Sequence, residues 1–165
     1  MEQNVQKAEQ MKYRLADAMK QCMAKMPIER ITVRQLVELS GTTRQTFYRH
    51  FQDKYDLINW YFDKLLLESF AQMGDGLTVY EGLTRKFEFI QKERVFFAGA
   101  FRSDDHNSLR EHDYELILDF YTQLIGRKTG RQPEENILFP LRLYCRGSID
   151  LSLIHISEPT RRSYI

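Results

Sequence analysis

Residues 31–58 read ITVRQLVELSGTTRQTFYRHFQDKYDLI, and the fold turns on how this stretch is parsed. Val33 to Leu39 has the spacing of a short helix. Thr32 stands before it as an N-cap, and Gln35 lies where a capping box needs its partner. Ser40-Gly41-Thr42 interrupts the pattern. A second short helix starts at about Thr43, again behind a capping residue, and runs to about Phe51. Gln52-Asp53 then opens a long helix reaching about Gln72. Two short helices joined by a three-residue turn containing glycine, with a longer helix on each side, form a helix-turn-helix arrangement.

In such an arrangement the second short helix is the one that enters a DNA major groove. Phe47 and Phe51 are i and i+4 on it, so they are expected to face inward onto Leu36, Val37 and the flanking helices. Thr43, Arg44, Gln45, Thr46, Tyr48, Arg49 and His50 are left outside. Hydroxyls and guanidinium groups suit phosphate oxygens, and Arg and Gln can read base edges bidentately. Local charge agrees. Between Arg30 and Lys54 the cations are Arg30, Arg34, Arg44, Arg49 and Lys54, and the acids are Glu38 and Asp53. This local balance of +3 compares with +1 for the whole chain of 165 residues. The molecule as a whole is therefore not a general polyanion binder, and any basic site is local.

Working outward, Leu15, Ala18, Met19, Cys22 and Met23 give one apolar face to a first helix from about Val5 to Lys25, ended by Met26-Pro27. Leu57, Ile58, Tyr61, Leu65 and Leu66 form the stripe of the long fourth helix. Met73-Gly74-Asp75-Gly76 reads as a linker and the domain boundary. Beyond it, Val79, Leu83, Phe87 and Ile90 fit one helix, and Val95 to Phe101 fits a shorter one. Asp104-Asp105-His106-Asn107 reads as a loop. Leu109, Leu116, Ile117, Phe120, Leu124 and Ile125 mark a long helix ended by Gly126 to Gly130. Pro133 and Glu134-Glu135 open a last one, with Pro140 inside it as a kink.

Composition is that of a folded chain: 42% hydrophobic and 28% charged. Length suits one domain or two small ones. No apolar run is long enough to span a bilayer, and the polar, periodic N-terminus is not a signal peptide. Cys22 and Cys145 make no CxxC or metal motif and are expected as thiols in a reducing cytoplasm. Asp104, Asp105, His106 and His112 match no standard metal spacing. No nucleophile–base pair, phosphate-binding glycine loop or convincing carboxylate pair is present, so an enzyme reading has no residues to stand on.

The segment from Ile31 to Ile58 resembles the DNA-binding segment of the TetR family of bacterial transcription regulators. The matching positions are Thr32, Gly41, Thr46, Phe47, Tyr48, His50, Phe51, Asp53, Lys54 and Leu57. Thr42-Thr43 departs from a frequent Val-Ser, and Gln45 stands where a small residue is common. The resemblance implies an all-α fold. A homeodomain-like, three-helix DNA-binding domain with its connecting fourth helix would occupy residues 1–72, and a helical regulatory and dimerisation domain residues 73–150. It also implies residue roles. Tyr48, Thr46 and Lys54 would hold phosphates, Lys54 aided by the start of the fourth helix. Thr43, Arg44 and Gln45 would face base edges, and Thr32 would touch backbone phosphate at the other edge. Arg49 and His50 complete the candidate set, although a surface ion pair between Arg49 and Asp53 at i+4 is favoured over DNA for Arg49.

The expected partners are double-stranded DNA, a second copy of the chain in a homodimer, and either a small-molecule effector or a partner protein. No cofactor is implied. The expected function is sequence-specific regulation, with repression on a palindromic operator as the default and activation as the variant. The rival is a family-shaped coregulator that does not read DNA. The aromatic second half (Phe87, Phe89, Phe96, Phe97, Phe101, Tyr114, Phe120, Tyr121, Phe139, Tyr144) suits a ligand pocket less well than core packing. FEFIQKERVFFAGAF, residues 87–101, is similar to the short subgroup that includes dihydroxyacetone kinase operon regulators. The tail differs from all of this. LSLIHISEPTR, residues 151–161, equals an in-frame translation of a transposase adapter used in sequencing libraries. Residues 151–165 are therefore expected to be non-native, with the last helix and dimerisation domain incomplete.

Overall fold

The computed structural model describes residues 2–72, 79–102 and 109–157. Among them every regular element is helical: α1 (Glu2–Met23), a single 3-10 turn (Ile28–Arg30), α2 (Val33–Ser40), α3 (Arg44–His50), α4 (Lys54–Gln72), α5 (Val79–Lys92), α6 (Arg94–Arg102), α7 (Leu109–Thr129) and α8 (Glu135–Ser157). The expected linker at 73–76, the loop at 104–107 and residues 158–165 of the tail lie outside the described residues.

The helices begin and end where local chemistry dictates. Thr32 Oγ1 accepts from Gln35 N at 3.3 Å while Gln35 Oε1 accepts from Thr32 N at 2.8 Å, a complete capping box on α2. The same helix ends in a Schellman motif. Gly41 sits at φ +63°, Thr42 N donates to Val37 O at 2.9 Å, and Gly41 N donates to Glu38 O at 3.4 Å. Asp53 caps α4: its Oδ1 accepts from Tyr55 N at 2.8 Å and Asp56 N at 2.9 Å, and Asp56 Oδ2 accepts in return from Gln52 N at 2.9 Å. α7 runs through Gly126 and stops at Gly130, whose φ is +72°. α8 continues through Pro140, which has no N–H for its turn, and includes residues 151–157 of the unusual tail.

The core is continuous from the short helices to the second half. Leu15, Ala18, Met19 and Cys22 of α1 are buried with Leu36 and Val37 of α2, Phe47 of α3, and Leu57, Ile58, Tyr61, Phe62 and Leu65 of α4. Aromatic rings extend it. Phe47 meets Phe51 at 5.8 Å between centroids, Phe51 meets Trp60 at 5.7 Å, and Trp60 packs on Tyr13 at 5.2 Å. Tyr61 meets Phe96 edge-on at 4.9 Å, and Phe62 meets Phe97 and Phe101 at 5.8 and 5.9 Å. α4 therefore carries α3 on one side and α6 on the other. Phe70 stacks on Phe120 of α7 at 4.1 Å, and Tyr121 meets Tyr144 of α8 at 5.5 Å. The described aromatics of the second half are largely committed to packing of this kind. Phe139 differs, being 63% exposed. Cys22 and Cys145 are both buried thiols, on α1 and α8.

Polar ties reinforce the junction. The Lys20 ammonium on α1 reaches Tyr61 Oη at 3.0 Å, Asp17 at 3.1 Å and Glu93 at 3.4 Å, where Glu93 sits between α5 and α6. Burial alone would lower the pKa of Lys20, but the hydrogen bonds to Tyr61 and Asp17 outweigh it and hold the lysine above its ordinary range. His112 Nε2 lies 2.6 Å from Asp63 Oδ1, tying α7 to α4. No helix among the described residues is long and apolar enough to cross a membrane.

Candidate nucleic-acid interface

The turn after α2 presents α3 with one face inward. Phe47 is fully buried and Phe51 nearly so. The opposite face carries Arg44, Gln45, Tyr48 and Arg49, all exposed, at positions i, i+1, i+4 and i+5. Tyr48 is 55% exposed and its ring rests edge-on against Phe47 at 5.4 Å. Arg44 and Arg49 form no ion pair among the described residues. Thr46 and His50 lie half-buried between the two faces.

The threonines do double duty. Thr43 Oγ1 accepts from Thr46 N at 3.1 Å and lies 3.0 Å from Thr46 Oγ1. Thr43 is thus the N-cap of α3 as well as an exposed residue at its tip. Thr32 likewise closes the α2 capping box while remaining exposed. His50 is held below its ordinary pKa, first by burial and then by the charges of Lys12 and Arg49.

One expected contact is not formed, and one candidate residue has partners that the sequence did not announce. The Arg49–Asp53 ion pair is not formed among the described residues, and Asp53 Oδ1 caps α4. The Lys54 ammonium turns away from the start of α4 and donates to Ile28 O at 2.7 Å, Glu29 O at 3.0 Å and Ile31 O at 3.0 Å. Burial lowers its pKa. Arg34 pairs with Glu38 at 2.8 Å, one of the two acids already set against the cations in the local balance of +3.

Two cations of α1 were missed. Arg14 donates to Ser40 O at the end of α2, and its guanidinium lies 3.0 Å from where a Cβ on Gly41 would stand. Lys12 lies over Phe51 and Trp60, 5.6 and 5.4 Å from the ring centroids. Neither residue is near α3 in sequence, so periodicity carries no signal for them. Among the described residues no group of three His, Cys, Asp or Glu could hold a metal. His112 is engaged with Asp63, and the other three residues of that loose cluster lie outside the described residues.

Residues 15–60 match the sequence profile of the bacterial regulatory proteins of the tetR family. The matched segment is similar to the N-terminal helix-turn-helix domain of that family. The matched span begins in α1 and ends in α4, enclosing the capped helix pair and its outward face. Among solved structures, one titled "Dihydroxyacetone kinase operon activator DhaS" has a similar fold. Its TM-score is 0.66 at 18% identity, covering 88% of this chain and 84% of that one. That likeness is one of fold, and it reaches beyond the TetR-family segment into the helices of the second half. No curated protein sequence matches the chain significantly.

Proposed function

We propose that the chain regulates transcription by reading a specific DNA sequence through α3, as a homodimer on a palindromic operator. One observation carries the reading: α3 buries Phe47 while exposing Arg44, Gln45, Tyr48 and Arg49 on the opposite face. That set combines bidentate donors for base edges with a phenol for phosphate. Thr32 and Thr43 sit at the tips of α2 and α3, where capped helix N-termini favour anions. The TetR-family match supports the same assignment.

Dimerisation is assigned to α8. Phe139 and Leu143 are exposed on it at 63% and 61%. A two-fold dimer would place the second α3 about 34–36 Å away, one turn of DNA from the first. Repression by promoter occlusion is the default sign. The fold likeness to a protein titled as an operon activator supports activation as the second reading.

Fluorescence anisotropy on DNA from upstream of the gene and on scrambled DNA, at several salt concentrations, tests the proposal. Tight binding that prefers the upstream DNA is expected. Absence of binding even at low salt would instead support a coregulator that has kept the fold without the reading.

A further inference from the structure

The two ends of the helix-turn-helix are far apart in sequence and meet at one side chain. Lys54 is the first residue of α4, directly after the segment that leaves α3. Ile28, Glu29 and Ile31 belong to the turn that leads into Thr32, the N-cap of α2. An ammonium has three N–H donors and no acceptor. All three find carbonyl oxygens here, at 2.7, 3.0 and 3.0 Å. The backbone bonds of this turn are local, Arg30 N to Pro27 O at 3.1 Å and Ile31 N to Ile28 O at 3.0 Å.

We propose that Lys54 is a positioning residue that pins the entry of α2 to the exit of α3 through the three carbonyls of residues 28, 29 and 31, and that it does not neutralise a DNA phosphate. This deepens the DNA-reading assignment and rests on it. Thr32 follows directly on the carbonyls that Lys54 holds, and α3 ends four residues before Lys54. The spacing between the start of α2 and the end of α3 is therefore tied at the Lys54 ammonium. Arg14 repeats the chemistry at the apex of the motif, where its guanidinium holds Ser40 O beside the left-handed Gly41. Both cations that brace the unit are spent on main-chain carbonyls. On α3 the surface charge left for phosphate is then that of Arg49, with Arg44 facing the bases.

The carbonyl cage also distinguishes lysine from arginine. Three acceptors converging on one point suit a tetrahedral ammonium, whereas a planar guanidinium spreads its donors in a fork. A phosphate contact would accept either.

The test compares wild type, Lys54→Met and Lys54→Arg, in the full chain, at a temperature where circular dichroism shows each fully helical. Two readouts are needed. Without DNA, hydrogen exchange of the amides of residues 32–35 is expected to quicken in both variants. With DNA, affinity for the upstream site is expected to fall roughly tenfold in both, a loss in keeping with hydrogen bonds from a charged group. Binding to scrambled DNA should change by less than about twofold, and the slope of log affinity against log salt should stay that of wild type. A slope shallower by about 0.9 in Lys54→Met, with Lys54→Arg behaving as wild type, is the signature of a lost phosphate contact and overturns the proposal. Faster exchange with unchanged DNA affinity also overturns it, since Lys54 would then be structural without positioning the reading surface. If wild type binds neither DNA, the functional reading itself fails. Exchange then decides the staple alone, and unchanged exchange at residues 32–35 refutes it.

Discussion

Gly99 of α6 lies against Met23 of α1 so closely that a Cβ at position 99 would meet the Met23 sulfur at 3.1 Å and its Cγ and Cβ at 3.2 and 3.3 Å. The last of these atoms is fixed to the α1 backbone, so the contact cannot be relieved by a rotamer change alone. Gly99→Ala gains helix propensity and loses packing, two terms of about 1 kcal/mol each that roughly cancel. Gly99→Leu cannot cancel. We expect it to cost about 2–3 kcal/mol by overpacking, read by urea unfolding. A stability equal to wild type would show that α1 and α6 are not held at this distance.

Gly41 supplies the second prediction. Its φ of +63° disfavours any side chain, and Arg14 occupies the space a Cβ would enter. Gly41→Ala is expected to destabilise by about 1–2 kcal/mol from the left-handed backbone. Displacing the guanidinium from Ser40 O would add to this. Gly41→Asn, which tolerates that conformation better, should lose less of the backbone term. Equal losses in thermal unfolding would mean that backbone strain is not what position 41 selects against.

These two positions mark what could be read from the sequence. Gly41 was legible because a helix stop, a cap at Thr32 and an i, i+4 aromatic pair at Phe47 and Phe51 are local signals with fixed offsets. Gly99 was not, since its reason is a methionine 76 residues away. The carbonyl partners of Lys54 were not legible for the same physical cause. Its partners are main-chain carbonyls, which every residue carries, so no side-chain pattern announces them. Asp53 could have been read either as a cap or as the partner of Arg49. The cap wins because it satisfies two helix N–H groups that would otherwise have no intrahelical partner.

The depressed pKa of His50 gives a pH prediction. The folded state holds the imidazole below its ordinary value of 6.5, mainly by burial, then through Lys12 and Arg49. Between the folded and unfolded values the unfolded chain binds more protons, so stability rises with pH in that window. The contribution is complete above the unfolded value and is lost as pH falls through the folded one. His50→Gln should therefore show a smaller fall in Tm between about pH 7 and pH 5 than wild type. An identical fall would place the acid sensitivity elsewhere.

The proposed DNA-reading role divides the outward face of α3 into residues that position and residues that read. Tyr48→Ala is expected to weaken upstream and scrambled DNA alike, because phosphate contacts carry no sequence information. Arg44→Ala and Gln45→Ala should instead relax preference at the base each one reads, by roughly 1–3 kcal/mol. A panel of singly substituted operators, titrated by anisotropy, distinguishes the two patterns. Uniform weakening by all three variants would remove Arg44 and Gln45 from base reading.

On α8, Phe139 and Leu143 expose large apolar side chains four residues apart, on a helix whose other face buries Cys145 and Ile149 against the core. A charge at an exposed site leaves the folded protomer intact but is costly where two copies meet. Leu143→Glu is therefore expected to leave helicity and the unfolding midpoint of the protomer unchanged, while shifting sedimentation from dimer toward monomer. Loss of the second half-site should then weaken upstream DNA binding far more than Tyr48→Ala does, with the steep salt dependence of the remaining contacts retained. A variant that still sediments as a dimer would move the two-fold interface off this face of α8.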